Sequence, residues 1–198
     1  MIFTPLRLHG AFLVESEHAR DERGSFARVF CRDQFARHGI AADFPQCSIS
    51  QNRRAGTLRG LHFQAEPFAE AKLVRCIRGA IYDVIVDLRA DSPTYAQWEA
   101  TTLDEETGGA LYVPPGFAHG FQALRDDTSI LYHITVPYVP KAGCGIRWND
   151  PALAIPWPLA DPILSDRDAM LPSLEDLRPE KGHYRHDRSA SLQTTCHS

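Results

Sequence analysis

The sequence predicts an all-β protein: a sandwich, jelly roll or barrel. Three observations carry that prediction. Short runs rich in β-branched and apolar residues recur along the chain. Gly and Pro turn signals separate them. No GxGxxG, P-loop, internal repeat or heptad run competes with this reading. At 198 residues, 43% hydrophobic and 23% charged, the chain is long enough for one domain with a core.

The elements follow in order. "GAFLVES" (10–16) alternates as a strand does, and "DERGSFARVF" (21–30) holds a turn at Arg23-Gly24 and then a strand. "CRDQFARHG" (31–39) has helical spacing at Phe35, with Gly39 as its stop. "GTLRGLHFQ" (56–64) reads as a strand. "AKLVRCIRG" and "AIYDVIVDLR" meet at Gly79 as consecutive strands. "GALYVPPGFAHGFQAL" (109–124) is strand, Pro/Gly turn, strand, and "SILYHITVPY" (129–138) is another strand. The core domain is expected over 1–175. The polar, aperiodic stretch 176–198 reads as a mobile tail with His183, His186 and His197 solvated.

Composition narrows the function. A net charge of -4 gives no basic footprint for nucleic acid. No run approaches eighteen apolar residues, so no membrane span is expected. The N-terminal "MIFTPLRLHG" is too short and polar for a signal peptide. Cys31, Cys47, Cys76, Cys144 and Cys196 form an odd set without CxxC spacing, which points to reduced thiols in the cytoplasm.

The stretch that raises a question is 56–64. Leu58, Leu61 and Phe63 belong in a core, yet Arg59 and His62 sit among them, and neither is cheap to bury unpaired. Strict alternation would send Arg59 and His62 to opposite faces. A bulge at Gly60 would re-aim them toward one cavity. On the next strands Lys72, Val74 and Cys76 share a face, as do Asp83 and Asp87 with Ile81 and Ile85, so a lumen with polar lining is expected. His119 follows a Pro-Gly turn, and Tyr132 lies in a later strand. Each has an ordinary reading. A lone strand His is more often hydrogen-bonded structure, Tyr132 packing, Lys72 an edge charge, and Asp168 in "LSDRD" a turn or cap residue.

The combination changes those odds. "DERGSF", "GTLRGLHFQ", "AKLVRC", "GAIYDVIVDLR", "SPTY", "VPPGFAHGF", "GIRWNDP", "WP" and "LSDRD" occur in an order that resembles the dTDP-4-dehydrorhamnose 3,5-epimerases over roughly residues 2–172. The resemblance implies a cupin-type jelly roll with a few short peripheral helices, and a homodimer. It also implies inversion of carbons 3 and 5 of a nucleotide-diphospho-4-keto-6-deoxy sugar, with no metal or redox cofactor. By the same resemblance His62 is the base, Asp168 its orienting carboxylate, Lys72 the cation for enolate charge on the 4-oxygen, and Tyr132 the acid on the opposite face. Arg23, Arg59 and His119 match residues that bind sugar or diphosphate. Gln46 and Ser48 fall in the segment that reads the base, Tyr138 matches an aromatic that stacks on it, and Arg167 stands where the family carries a Lys.

Three positions depart from the family pattern, all on the nucleotide side. Arg28 and Gly143 stand where a Glu is usual, and Gln46-Cys47-Ser48 replaces a Gln-Asp-Asn run. A GDP- or CDP-linked substrate, or inversion at carbon 3 or carbon 5 alone, is therefore the alternative reading. Two other classes stay open. A metal-dependent cupin would use His62, His119 and Glu66 or Glu70, against the missing HxH. A sugar-nucleotide binder, or a ketoisomerase on the same scaffold, would not need opposed acid and base on one carbon.

Overall fold

The computed structural model describes residues 1–40 and 43–177. In chain order the elements are β1 (Ile2–Pro5), β2 (Phe12–Glu15), β3 (His18–Asp21), β4 (Gly24–Ala27), α1 (Arg32–Arg37), β5 (Gln46–Asn52), β6 (Leu58–Gln64), β7 (Lys72–Arg78) and β8 (Ala80–Asp87). They continue with β9 (Trp98–Asp104), β10 (Ala110–Val113), β11 (Phe117–Ala123), β12 (Thr128–Ile134), β13 (Gly143–Gly145) and α2 (Asp166–Ala169). A six-stranded sheet has the order β1-β2-β10-β7-β12-β5, and a five-stranded sheet the order β13-β6-β11-β8-β9. From β6 to β13 the chain crosses repeatedly between the sheets, with antiparallel pairing, as in a jelly roll. β3 and β4 form a separate hairpin.

Period-two alternation explains the layers. From β7, Val74 and Cys76 point between the sheets, where Ile81, Ile85, Phe117, Phe121, Leu111 and Ile130 complete the inner core. Leu73, one residue out of phase, points the other way into a cluster with Tyr112 and Phe35 of α1. α1 carries Asp33 in its first turn and Arg37 in its last, each on the favourable end of the helix dipole. Gly39, at φ +73°, ends it as expected. On the outer face of the five-stranded sheet, Leu61, Val84, Val86 and Ala118 pack under Ile146, Leu153 and Leu174.

The bulge at Gly60 is present. His119 pairs with His62 and Phe121 with Arg59, so Gly60 and Leu61 together face Gly120 alone. The register slip lets Leu61 enter the outer cluster while Arg59 and His62 both line one cavity between the sheets. Only glycine fits there. Gly60 has φ +104°, and a Cβ would lie 2.6 Å from the His119 carbonyl oxygen and 2.8 Å from Gly120 Cα.

Five strands were not legible as elements in the sequence: β1, β3, β5, β9 and β13. β1, β5 and β9 are sheet edges or near them, and β5 ("QCSISQN") is too polar to show an apolar rhythm. Of the expected tail 176–198, only Asp176 and Leu177 are among the described residues. Both belong to the folded body: Asp176 accepts from the Ser173 hydroxyl and backbone N–H, and Leu177 packs on the outer cluster.

Candidate active site

The cavity has a volume of about 320 Å³. Its walls come from both sheets. β6 and β11 of one supply Arg59, His62 and His119. β5, β7 and β12 of the other supply Ser48, Ser50, Lys72 and Tyr132. Tyr138, Gly143 and Arg167 line its outer part.

His62 donates from Nε2 to Asp168 Oδ1 at 2.6 Å, and this leaves the lone pair on Nδ1. Asp168 is nearly buried, with a side chain 5% exposed against 37% for His62. It is held at the start of α2, where its backbone N–H donates to the Ser165 hydroxyl. Burial pushes the Asp168 carboxyl up. The His62 hydrogen bond and charge, with the Gly60 N–H and Ser165, outweigh it and hold the group below the usual carboxylate range. The cap of α2 is Ser165, which the sequence reading did not single out, and Asp168, read there as a turn or cap residue in the ordinary case, bonds to the histidine instead.

A second histidine–carboxylate pair lies deeper. His119 donates from Nε2 to Asp83 Oδ1 at 2.7 Å, and both are buried. Asp83 Oδ2 is buried without a partner. The Tyr132 ring meets His119 edge-on with centroids 6.0 Å apart. Burial drives the Tyr132 phenol far above its usual range and the Asp83 charge adds to it, with Arg59 pulling back in part. The phenol therefore holds its proton more tightly than a free tyrosine does.

Lys72 Nζ contacts Glu70 Oε1 at 3.0 Å and donates to the His62 carbonyl at 3.2 Å, which fixes the ammonium beside the histidine. Arg59 is anchored by Nε to Asn52 Oδ1 at 2.9 Å. Glu70, Asn52 and Ser50 are cavity residues or supports that the sequence reading passed over or gave another role. Glu70 next to Lys72 was the one readable signal. Gln46 does not line the cavity; its amide oxygen accepts from Tyr138 N at 3.1 Å and so sets the position of the Tyr138 segment. Ser48, Tyr138 and Arg167 do line it. Arg23 stands apart. It sits in the β3–β4 turn, 90% exposed, paired with Asp21, and the same chain's cavity does not include it. Arg59, Lys72 and Arg167 face a cavity whose lining holds one carboxylate, Glu70, so the site favours an anion. Among the described residues no three His, Cys, Asp or Glu side chains group as a metal set. His62, His119 and Glu70 are each bonded to another residue.

A jelly roll with a cavity of this composition can hold an anion beside a histidine, a phenol and an ammonium group. The model of the dTDP-4-dehydrorhamnose 3,5-epimerase family matches residues 5–176, and the chain belongs to that family. It is 44% identical over 178 residues to a dTDP-4-dehydrorhamnose 3,5-epimerase of Sinorhizobium fredii, covering 89% of this chain and 91% of the relative. It is 40% identical over 169 residues to a dTDP-4-dehydrorhamnose 3-epimerase of Streptomyces niveus, covering 85% and 81%. The crystal structure of the Bacillus anthracis 3,5-epimerase, with TDP and pyrophosphate bound, superposes with a TM-score of 0.86 at 43% identity, covering 87% of this chain and 99% of that one.

Proposed function

We propose that the chain inverts carbons 3 and 5 of dTDP-4-dehydro-6-deoxyglucose to give dTDP-4-dehydrorhamnose, by proton transfer without a redox step. The observation that carries this is the placement of His62 and Tyr132 on opposite walls, one from each sheet. Inversion needs a proton removed on one face and another delivered on the other. A single base would mostly restore the original centre.

In each half-reaction Nδ1 of His62 takes the proton from the carbon next to the ketone. Asp168 fixes the tautomer and stabilises the imidazolium. The electron pair moves onto the 4-oxygen, where Lys72 offsets the charge. The Tyr132 hydroxyl then protonates the same carbon from the other side, and before the next half-reaction the imidazolium gives its proton to solvent and the phenolate takes one back. Groups of this kind typically contribute ~10²–10⁴ each. Arg59 and His119 hold the sugar and diphosphate, Arg167 lies near the nucleotide, and Tyr138 stacks on the base. A homodimer in the cytoplasm completes the reading. Phe26 on the hairpin is 79% exposed and Ile49 on the edge strand β5 is 60% exposed, as residues awaiting a second copy would be.

The test is the product. Incubation with dTDP-4-dehydro-6-deoxyglucose, reduction with borohydride and NMR of the ring couplings should show inversion at both carbons. Inversion at carbon 3 alone would assign the activity of the Streptomyces niveus relative instead. Unchanged sugar would refute the reading.

A further inference from the structure

The cavity suits an anion, yet a carboxylate lines it. Glu70 is buried and both of its oxygens are engaged. Oε2 accepts from the Gln64 backbone N–H at 3.1 Å, and Oε1 stands 3.0 Å from Lys72 Nζ. Gln64 ends β6 of the five-stranded sheet, and Lys72 opens β7 of the six-stranded one. The neighbouring Ala71 donates its N–H to the Thr135 hydroxyl at 2.8 Å and accepts from the Thr135 N–H at 3.1 Å. Glu70 therefore braces the two sheets where Lys72 also reaches across, through its bond to the His62 carbonyl at 3.2 Å.

A buried acid here works against binding, because its charge would repel a diphosphate. Its use concerns Lys72. An ammonium on a four-carbon stem is a mobile point charge with three donors. Untethered, it would be drawn to the strongest negative charge in the cavity, which in a nucleotide-diphospho-sugar is the diphosphate. The oxygen it serves in the reaction is a neutral ketone in the bound substrate and gains charge only as the proton leaves. We propose that Glu70 is a positioning residue: it tethers the Lys72 ammonium beside His62 and withholds it from the diphosphate. Glu70 thus weakens the binding of the substrate and reserves Lys72 for the enolate, so its benefit falls on turnover. This rests on the nucleotide-sugar reading above and deepens it.

The test compares the wild-type chain with Glu70→Gln and Glu70→Asp. Glutamine keeps the size and removes the charge. Aspartate keeps the charge but is one methylene short of spanning Gln64 and Lys72. Affinity for dTDP is measured by calorimetry, and kcat and KM by deuterium exchange into dTDP-4-dehydro-6-deoxyglucose. Glu70→Gln should bind dTDP about three- to tenfold more tightly, because a repelling charge is gone. Its kcat should nevertheless fall about tenfold, as the ammonium loses its aim. Glu70→Asp should bind dTDP within about twofold of wild type and lose about tenfold in kcat as well. A defect of folding or packing would instead weaken binding and turnover together. An unchanged kcat in Glu70→Gln, dTDP binding there that is unchanged or weaker, or dTDP binding in Glu70→Asp weaker by about tenfold would each overturn the proposal. Wild type that does not exchange the sugar removes the epimerase reading and this role with it. Wild type that exchanges it, with variants that break the pattern, removes the role of Glu70 alone.

Discussion

Three carboxylates in this molecule show how a residue's neighbours decide its task. Asp168 is nearly buried, yet bonds to His62, Gly60 and Ser165 keep it ionised, so it can orient an imidazole and balance its charge. Asp83 accepts from His119 and so fixes that ring, and it keeps one buried oxygen unpartnered. Asp87 has no part in the cavity. Burial pushes its carboxyl up, and bonds from Arg89, Ser92 and Thr94 outweigh that and bring it down to about 2. Those bonds, at 2.5 to 2.9 Å for the side chains, tie the "SPT" turn to the end of β8. A carboxyl held below its unfolded value of 3.8 stabilises the fold above that pH and loses the contribution as pH falls toward 2. The shift corresponds to about 2 kcal/mol at neutral pH. Asp87→Asn should therefore lower stability by about that amount in urea unfolding at pH 7. The gap to wild type should narrow as the pH drops below 4, and a gap independent of pH would show that the charge is not what matters.

At the scale of elements, β6 is where the sequence departs from a plain strand and the site begins. A regular ladder would hide either Arg59 or His62 on the wrong face. Two residues opposite one at Gly60 bring both to the cavity. Gly60→Ala should be costly twice over. The φ of +104° is unfavourable for a side chain, and the Cβ would collide with rigid backbone at 2.6 and 2.8 Å. A loss on the order of 1–3 kcal/mol is expected, together with a large fall in turnover as His62 and its neighbours shift. Gly39→Ala is the control. It also has positive φ, +73°, but no atom within 4 Å of a Cβ. It should cost about 1 kcal/mol in unfolding experiments and leave turnover intact. Equal effects of the two substitutions on turnover would disconnect the bulge from the site.

The described residues form two large sheets, a separate hairpin and a cavity lined from both large sheets, and much of that was legible. Parity along 72–76 sorted Val74 and Cys76 inward and Leu73 outward, as the core clusters show. Gly60 announced the bulge because glycine has no business inside a buried strand without one. The edge strands β5 and β9 were invisible because an edge needs no apolar rhythm, only a neighbour to pair with. The pairing of His62 with Asp168, 106 residues away, could not be read from periodicity. It came from resemblance, since no local signal spans that separation. Arg23 marks the opposite limit. A motif match placed it with the sugar-binding residues, while the fold of one chain puts it in an exposed turn outside the cavity.

The central claim is that His62 and Tyr132 act from opposite walls on one carbon. The most direct test separates hydrogen exchange from inversion. Wild type, His62→Ala and Tyr132→Phe would be incubated in D₂O with dTDP-4-dehydro-6-deoxyglucose, and both deuterium content and configuration at carbons 3 and 5 followed by NMR. His62→Ala should lose exchange and inversion together. Tyr132→Phe should still exchange, because the base can return deuterium to the face it took the proton from, but should scarcely invert. Exchange that persists without His62, or inversion at the wild-type rate without the Tyr132 hydroxyl, would contradict the two-walled mechanism.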